Sequence, residues 1–239
     1  MIILGLDTSS HLNAVGVIDD ERVLADFVWE AWDSSLQRIV PAISFIMDSA
    51  HLRIEDVDGF AVGIGPGSWT GIRVGLTVGK MLAYTCSKPI CGVSSLDALA
   101  YCGRNLSGHV CTIVDAGRGM IYAALYQAAG GKVIRNSAHY AGSIGELLNS
   151  IQEPTHFLGE AALLHQHTIV EKLGSKALFT SHVGDTQRGS ILAFLAKMRL
   201  QIGEGDNALS LAPLYLRESS AQPLVSNATE LVSKGDAGC

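Results

Sequence analysis

The chain has 239 residues, of which 48% are hydrophobic and 17% charged, with a net charge of −6. This is a globular composition, long enough to bury the core of one large domain or two small ones, and it excludes a disordered chain. The charge gives no basic footprint for unaided nucleic-acid binding, and no apolar run reaches the roughly 18 residues of a membrane span.

MIILGL has no basic flank and meets Asp7 too soon for a signal peptide, so it reads as a first buried strand. NAVGVI and VLADFVW, on either side of the turn Asp19-Asp20-Glu21-Arg22, read as two more strands. Residues 34–50 place Leu36, Ile39, Val40, Ile43, Ile46 and Met47 at helical spacing, with Pro41 inside the segment as a kink or a late start. Residues 57–65 form an apolar strand pattern and 70–86 a second helix. A short strand follows at 88–93, then a helix at 94–102 capped by Ser94 or Ser95. GRNLSG, 103–108, marks a boundary.

Beyond the boundary the opening plan recurs. HVCTIV leads to Asp115-Ala116-Gly117-Arg118-Gly119, IYAALYQ meets the turn Ala129-Gly130-Gly131, and KVIRNSAHY follows. Asp7 and Asp115 head matching strand, turn, strand units, which predicts a duplicated, two-lobed α/β protein. HFLG (156–159) reads as a strand, and residues 160–174 and 188–203 read as helices. The expected division is a first lobe over 1–103, a smaller second lobe over 104–217 and a loosely held tail over 218–239.

Metal and disulfide chemistry find little support. The five cysteines are odd in number and include no C-x-x-C pair, which fits buried thiols. No two histidines stand four apart, and the pair His165 and His167 would diverge by about 200° on a helix. No metal site is expected.

GPGSWTGIRVGLTVGK, 65–80, admits three readings. A phosphate-binding P-loop fails, because Gly79-Lys80 lacks both the earlier glycine and the following hydroxyl. A dinucleotide fingerprint fails at Thr70, where its third glycine should stand, and Pro66 removes an amide. The third reading is a helix with Gly71, Gly75 and Gly79 along one side. Interior glycines cost about 1 kcal/mol each relative to alanine, so such a side is kept where a neighbour must approach closely. That neighbour is the protein's own sheet or first helix in the simpler case and a partner's helix in the other.

The same segment closely resembles the hallmark G-P-G-S-F-T-G-[LI]-R-[IV]-G of the TsaB (YeaZ) family. ILGLDTSS, GVSSLDALA, VDAGRGMIYAALY and PLYLR match further family segments in order across most of the chain. The resemblance implies the two-lobed actin-like, Hsp70-like and sugar-kinase-like (ASKHA) fold. It implies a non-catalytic scaffold in the making of threonylcarbamoyladenosine at the tRNA adenosine 3′ of the anticodon, beside the transferase TsaD and the ATPase TsaE. On this reading the chain has no cofactor of its own, and ATP or ADP enters only within the complex. It meets tRNA only through that complex, pairs with itself when alone, and works in the cytoplasm away from membranes. Ser35 and Leu36 stand where many relatives have histidine and a hydroxyl residue, and Gly117 and Met120 replace a familial arginine and glutamate. These last changes weaken an anion-binding role for Arg118.

The candidate residues follow. Asp7, Thr8, Ser9 and Arg118 form a vestigial nucleotide site, although Asp and Ser at a strand end equally suit turn chemistry. The expected partner interface comprises Leu36, Ile39, Ile43 and Met47 on the first helix, and Trp69, Gly71, Arg73, Gly75, Val78, Gly79 and Leu82 on the second. Trp69 and Arg73 also have ordinary readings as a packing residue and a solvated arginine. The competing function class is a small kinase-like or nucleotide-hydrolysing enzyme using Asp7 and Asp115 across the cleft; a third is a homodimer with a regulatory role.

Overall fold

Apolar strands that end in aspartate or glycine, separated by amphipathic segments, assemble here into two sheets. A computed structural model describes residues 1–30, 35–179 and 188–216. The first sheet is built from β1 (Ile2–Asp7), β2 (Leu12–Asp19), β3 (Arg22–Glu30), β4 (Gly59–Gly65) and β5 (Ile90–Ser94), in the order β3-β2-β1-β4-β5. β1 to β3 are antiparallel neighbours, whereas β4 and β5 run parallel to β1. Between them come α1 (Ser35–Ser49), α2 (Trp69–Cys86) and, after β5, α3 (Ser95–Cys102).

The second sheet has β6 (Gly108–Gly117), β7 (Met120–Ala129), β8 (Lys132–Arg135), β10 (Thr155–Leu158) and β11 (Ala177–Phe179) in the order β11-β10-β6-β7-β8, with β9 (Tyr140–Gly142) also on β7. Substituting β6, β7, β8, β10 and β11 for β1, β2, β3, β4 and β5 reproduces the first sheet's order. The duplication expected from the two aspartates is therefore one of topology. Asp7 Oδ1 accepts from the Ser9 amide and Asp115 Oδ1 from the Gly117 amide, both at 2.9 Å, so the two hairpins share the same local turn bond.

Several elements differ from the sequence reading. α1 runs through Pro41 with no late start. The helix expected over 160–174 breaks at His165 into α5 (Glu160–Leu164) and α6 (Gln166–Leu173), and α4 (Ile144–Ser150) had no strong periodicity to announce it. α4 is capped instead by the Ser143 hydroxyl, which accepts from the Glu146 amide.

α7 (Arg188–Gln201) corrects the boundary of the second lobe, because it packs on β1 and β2 of the first sheet. Gly5 and Gly16 face one another across β1 and β2, and a Cβ on either would collide with the backbone at Gly189 or Ser190. Three glycines thus let the helix backbone rest on the strands. Residues 204–216 then run over β5, β4 and α2: the Asp206 amide bonds Ile90 O, the Leu214 amide bonds Ile64 O, and Lys80 Nζ donates to the carbonyls of Leu209 and Leu211. Residues 188–216 belong with the first lobe. The tail expected over 218–239, and Arg217, lie outside the described residues.

α3 joins the lobes. Leu96, Leu99 and Ala100 pack with Val110, Val114, Tyr126 and Leu158 of the second sheet, while Ala98 packs with Ile191, Leu192 and Ala196 of α7.

Candidate functional site

The two aspartate hairpins open onto a cleft of about 870 Å³ between the lobes. Ser9, Ser10 and His11 line it from the first hairpin, Asp115 to Arg118 from the second, and Trp69, Glu160, Leu164 and Tyr215 from the flanking segments. Arg118 is the one lysine or arginine among these lining residues, facing a cleft that also carries Asp115 and Glu160. It sits in a left-handed turn, φ 58°, between Gly117 and Gly119, which also have positive φ. That charge balance is poor for a polyphosphate.

Asp7 and Thr8 do not line the cleft. Asp7 is fully buried, and the equally buried Arg188 at the start of α7 brings its Nε to 3.6 Å from Asp7 Oδ2. This is an ion pair without a hydrogen bond, and Oδ2 has no other partner among the described residues. The same guanidinium donates to Ser10 Oγ and, at 2.8 Å, to the Leu12 carbonyl, clamping the turn from behind.

The neighbouring hydroxyls are engaged as well. Thr8 Oγ1 donates to Gly71 O at 2.6 Å, Ser9 Oγ accepts from Ser95 Oγ at 2.8 Å, and the Ser9 carbonyl accepts from the Ser68 amide at 2.6 Å. Of the four residues expected to form a vestigial nucleotide site, the structure brings Ser9 and Arg118 to the cleft. It places Asp7 and Thr8 inside the first lobe, where they hold the hairpin to α2 and α7.

No cluster of three or more His, Cys, Asp or Glu side chains able to hold a metal ion occurs among the described residues. The buried thiols are poor nucleophiles, since burial pushes Cys91 up to about 11 and raises Cys111 also.

The helical face sorts the expected interface residues. Gly71, Gly75 and Gly79 point inward: added Cβ atoms would meet Thr8 O, Thr8 Oγ1 and Val62 Cγ1, each far inside contact distance. The glycine side therefore admits the protein's own Thr8, just past β1, and Val62 of β4, and the partner-facing expectation for these three is corrected. Ile39, Ile43, Met47 and Val78 are likewise core residues, because α1 and α2 turn these positions towards the sheet. Leu82 is half-buried against that core.

What stays exposed is a different set. Leu36 (64% exposed) and Val40 lie on α1, with Met81 (53%) and Tyr84 (75%) on α2. Arg73 is exposed near the start of α2, and its guanidinium carbon lies 4.3 Å from the centre of the Trp69 ring. Its Nε donates to Tyr215 Oη at 2.8 Å, and Trp69 stacks on Tyr215 with ring centres 3.9 Å apart. Sequence reasoning named Trp69 and Arg73 but missed their contact Tyr215, 142 positions downstream of Arg73. It also missed Arg188, which lacks any local signal because its partner is Asp7.

Comparison with known proteins gives this geometry its family. A family model described as "TsaD: tRNA N6-adenosine threonylcarbamoyltransferase" matches residues 30–223. A Bacillus subtilis protein named tRNA threonylcarbamoyladenosine biosynthesis protein TsaB is 32% identical over 93% of this chain and 96% of its own length. The Escherichia coli protein of the same name is 33% identical over 53% of this chain and 55% of its own. Among solved structures, YeaZ from Pseudomonas aeruginosa superposes with a TM-score of 0.72 at 24% identity, covering 90% of this chain and 99% of that one. The ROK hexokinase of Thermus thermophilus shares the fold at a TM-score of 0.51 and 13% identity, covering 85% and 100% of the two chains. The topology is the duplicated ASKHA fold, and the chain belongs to the TsaB (YeaZ) family of tRNA threonylcarbamoyladenosine biosynthesis proteins.

Proposed function

We propose that the chain is a non-catalytic scaffold subunit of the cytoplasmic machinery that threonylcarbamoylates the tRNA adenosine 3′ of the anticodon. It works with a TsaD-like transferase and a TsaE-like ATPase. The observation that carries the reading is the Asp7 to Arg188 pair. In a kinase-like enzyme a carboxylate at the end of the first strand would face metal and phosphate in the cleft; here it is neutralised from behind by an internal arginine. The chain then needs no cofactor, ATP or ADP enters only with the partners, and tRNA is reached through the complex, in keeping with the net charge of −6.

The exposed Leu36 and Val40 of α1 and Met81 and Tyr84 of α2, together with Arg73, supply the partner surface. Exposed apolar side chains gathered on two packed helices support an interface there. TsaD occupies it in the working complex and a second copy occupies it when the chain is alone.

Co-purification with a TsaD-like subunit tests the assignment. Leu36→Asp combined with Met81→Asp is expected to weaken association at least about tenfold. Because both side chains are exposed, unfolding stability should change by no more than about 0.5 kcal/mol per site. Undiminished association would remove this surface from the proposal. Separately, ATP turnover by the isolated chain that disappears in Asp7→Ala would sink the scaffold role and favour the kinase-like enzyme.

A further inference from the structure

A polar chain crosses the lobe boundary on α3, away from the cleft. Ser94, the last residue of β5, places its hydroxyl 3.3 Å from Nε2 of His139, which belongs to the segment between β8 and β9. The Arg135 guanidinium donates to the same Nε2 and pairs with Asp97 Oδ1 of α3 at 3.3 Å. Asp97 Oδ1 also accepts from the buried Tyr126 hydroxyl of β7 at 2.8 Å. Ser94 and Asp97 of the first lobe therefore meet His139, Arg135 and Tyr126 of the second in one network.

The chemistry of that network fixes the state of the imidazole. A guanidinium has donors and no acceptor, so Nε2 must offer its lone pair and the ring proton must sit on Nδ1. Protonating the ring puts an N–H where the acceptor was and sets two cations in contact. We propose that Ser94, His139, Arg135, Asp97 and Tyr126 form a proton-sensitive latch between the lobes, closed while His139 is neutral.

The charged and titratable groups facing His139 are Arg135 of β8 and Asp97 of α3, with Tyr126 of β7 behind Asp97. Burial lowers the His139 pKa from its ordinary 6.5, Arg135 lowers it further and Asp97 opposes them. Tyr126 stays protonated, because burial and Asp97 both raise it. The sign follows from linkage. With the folded value depressed, the unfolded chain binds more protons in the window below 6.5, so stability there rises with pH. The latch contributes in full above that value and is lost as the pH falls through the window.

Histidine NMR and amide hydrogen exchange on the full chain test this. At about pH 7.5 His139 is expected as the Nδ1–H tautomer, titrating below the ordinary histidine range. Between about pH 7.5 and pH 5.5, exchange in residues 133–140 and 94–97, corrected for its chemical pH dependence, should accelerate about fivefold. Arg135→Gln should move the titration upward, and His139→Gln, which keeps an acceptor but not the titration, should make exchange independent of pH. An Nε2–H tautomer at pH 7.5, or the same acceleration in His139→Gln, would overturn the latch.

Discussion

Arg188→Ala is expected to lower the unfolding free energy by about 3–5 kcal/mol, the range for removing one partner of a buried ion pair. Asp7 would keep its bond from the Ser9 amide but lose the cation beside Oδ2, and the Ser10 hydroxyl and Leu12 carbonyl would lose their donor. No surface position offers a comparable loss, since exposed pairs such as Arg53 with Glu55 contribute at most about 1 kcal/mol. The double change Arg188→Met with Asp7→Asn removes both charges, and it should recover more than half of the loss. Urea titrations of the single and double variants read this directly. A single-variant loss below about 1 kcal/mol would show that water or a rearranged neighbour solvates Asp7, and the pair would then no longer support the proposed scaffold role.

A graded loss is expected along the glycine side of α2. Gly71→Ala directs its methyl group at the Thr8 carbonyl, a backbone atom on the strand-to-turn junction, so helix or hairpin must shift. The expected cost is about 3 kcal/mol or more. Gly75→Ala meets the Thr8 hydroxyl instead, which rotates away at the loss of its bond to Gly71 O, for about 1–2 kcal/mol. Gly79→Ala meets a Val62 methyl group, which has some freedom to repack, and should cost about 1–3 kcal/mol before credit for better helix propensity. Thermal unfolding with Gly71 as the most sensitive site, and association with a TsaD-like partner unchanged, is the predicted pattern. Lost association at unchanged stability would return the glycine side to the interface.

The elements that were legible in the sequence are those whose signal is local. Period-two or continuous apolar runs ending in Asp7 and Asp115 announced both hairpins, and their repetition announced two lobes. The glycine spacing was read correctly as a close approach, but spacing is indifferent to whether the approaching atoms belong to Thr8 and Val62 or to a partner. Amphipathicity had the same limit on α1. Ile39 and Leu36 are equally apolar in sequence, and only the packed sheet separates the buried one from the exposed one. The Asp7 to Arg188 and Trp69 to Tyr215 contacts join residues more than 140 positions apart, where no periodicity reaches.

The return of α7 to β1 and β2 also orders events in time. Strands made first have one face covered by a helix made nearly last, whereas β6 and β7 are hairpin neighbours and find β10 within the next thirty or so residues. At about 5–20 residues per second, roughly ten to forty seconds separate the synthesis of Ile2 from that of Arg188. The β6, β7 and β10 part of the second lobe is therefore expected to form on the ribosome while the first still exposes Gly5, Gly16 and their apolar neighbours. Proteolysis of stalled nascent chains would show this as protection of the β6 to β10 region ahead of β1 to β3. The amino-terminal strands are then the part of this protein most dependent on chaperones during synthesis, although β1 and β2 end almost wholly buried.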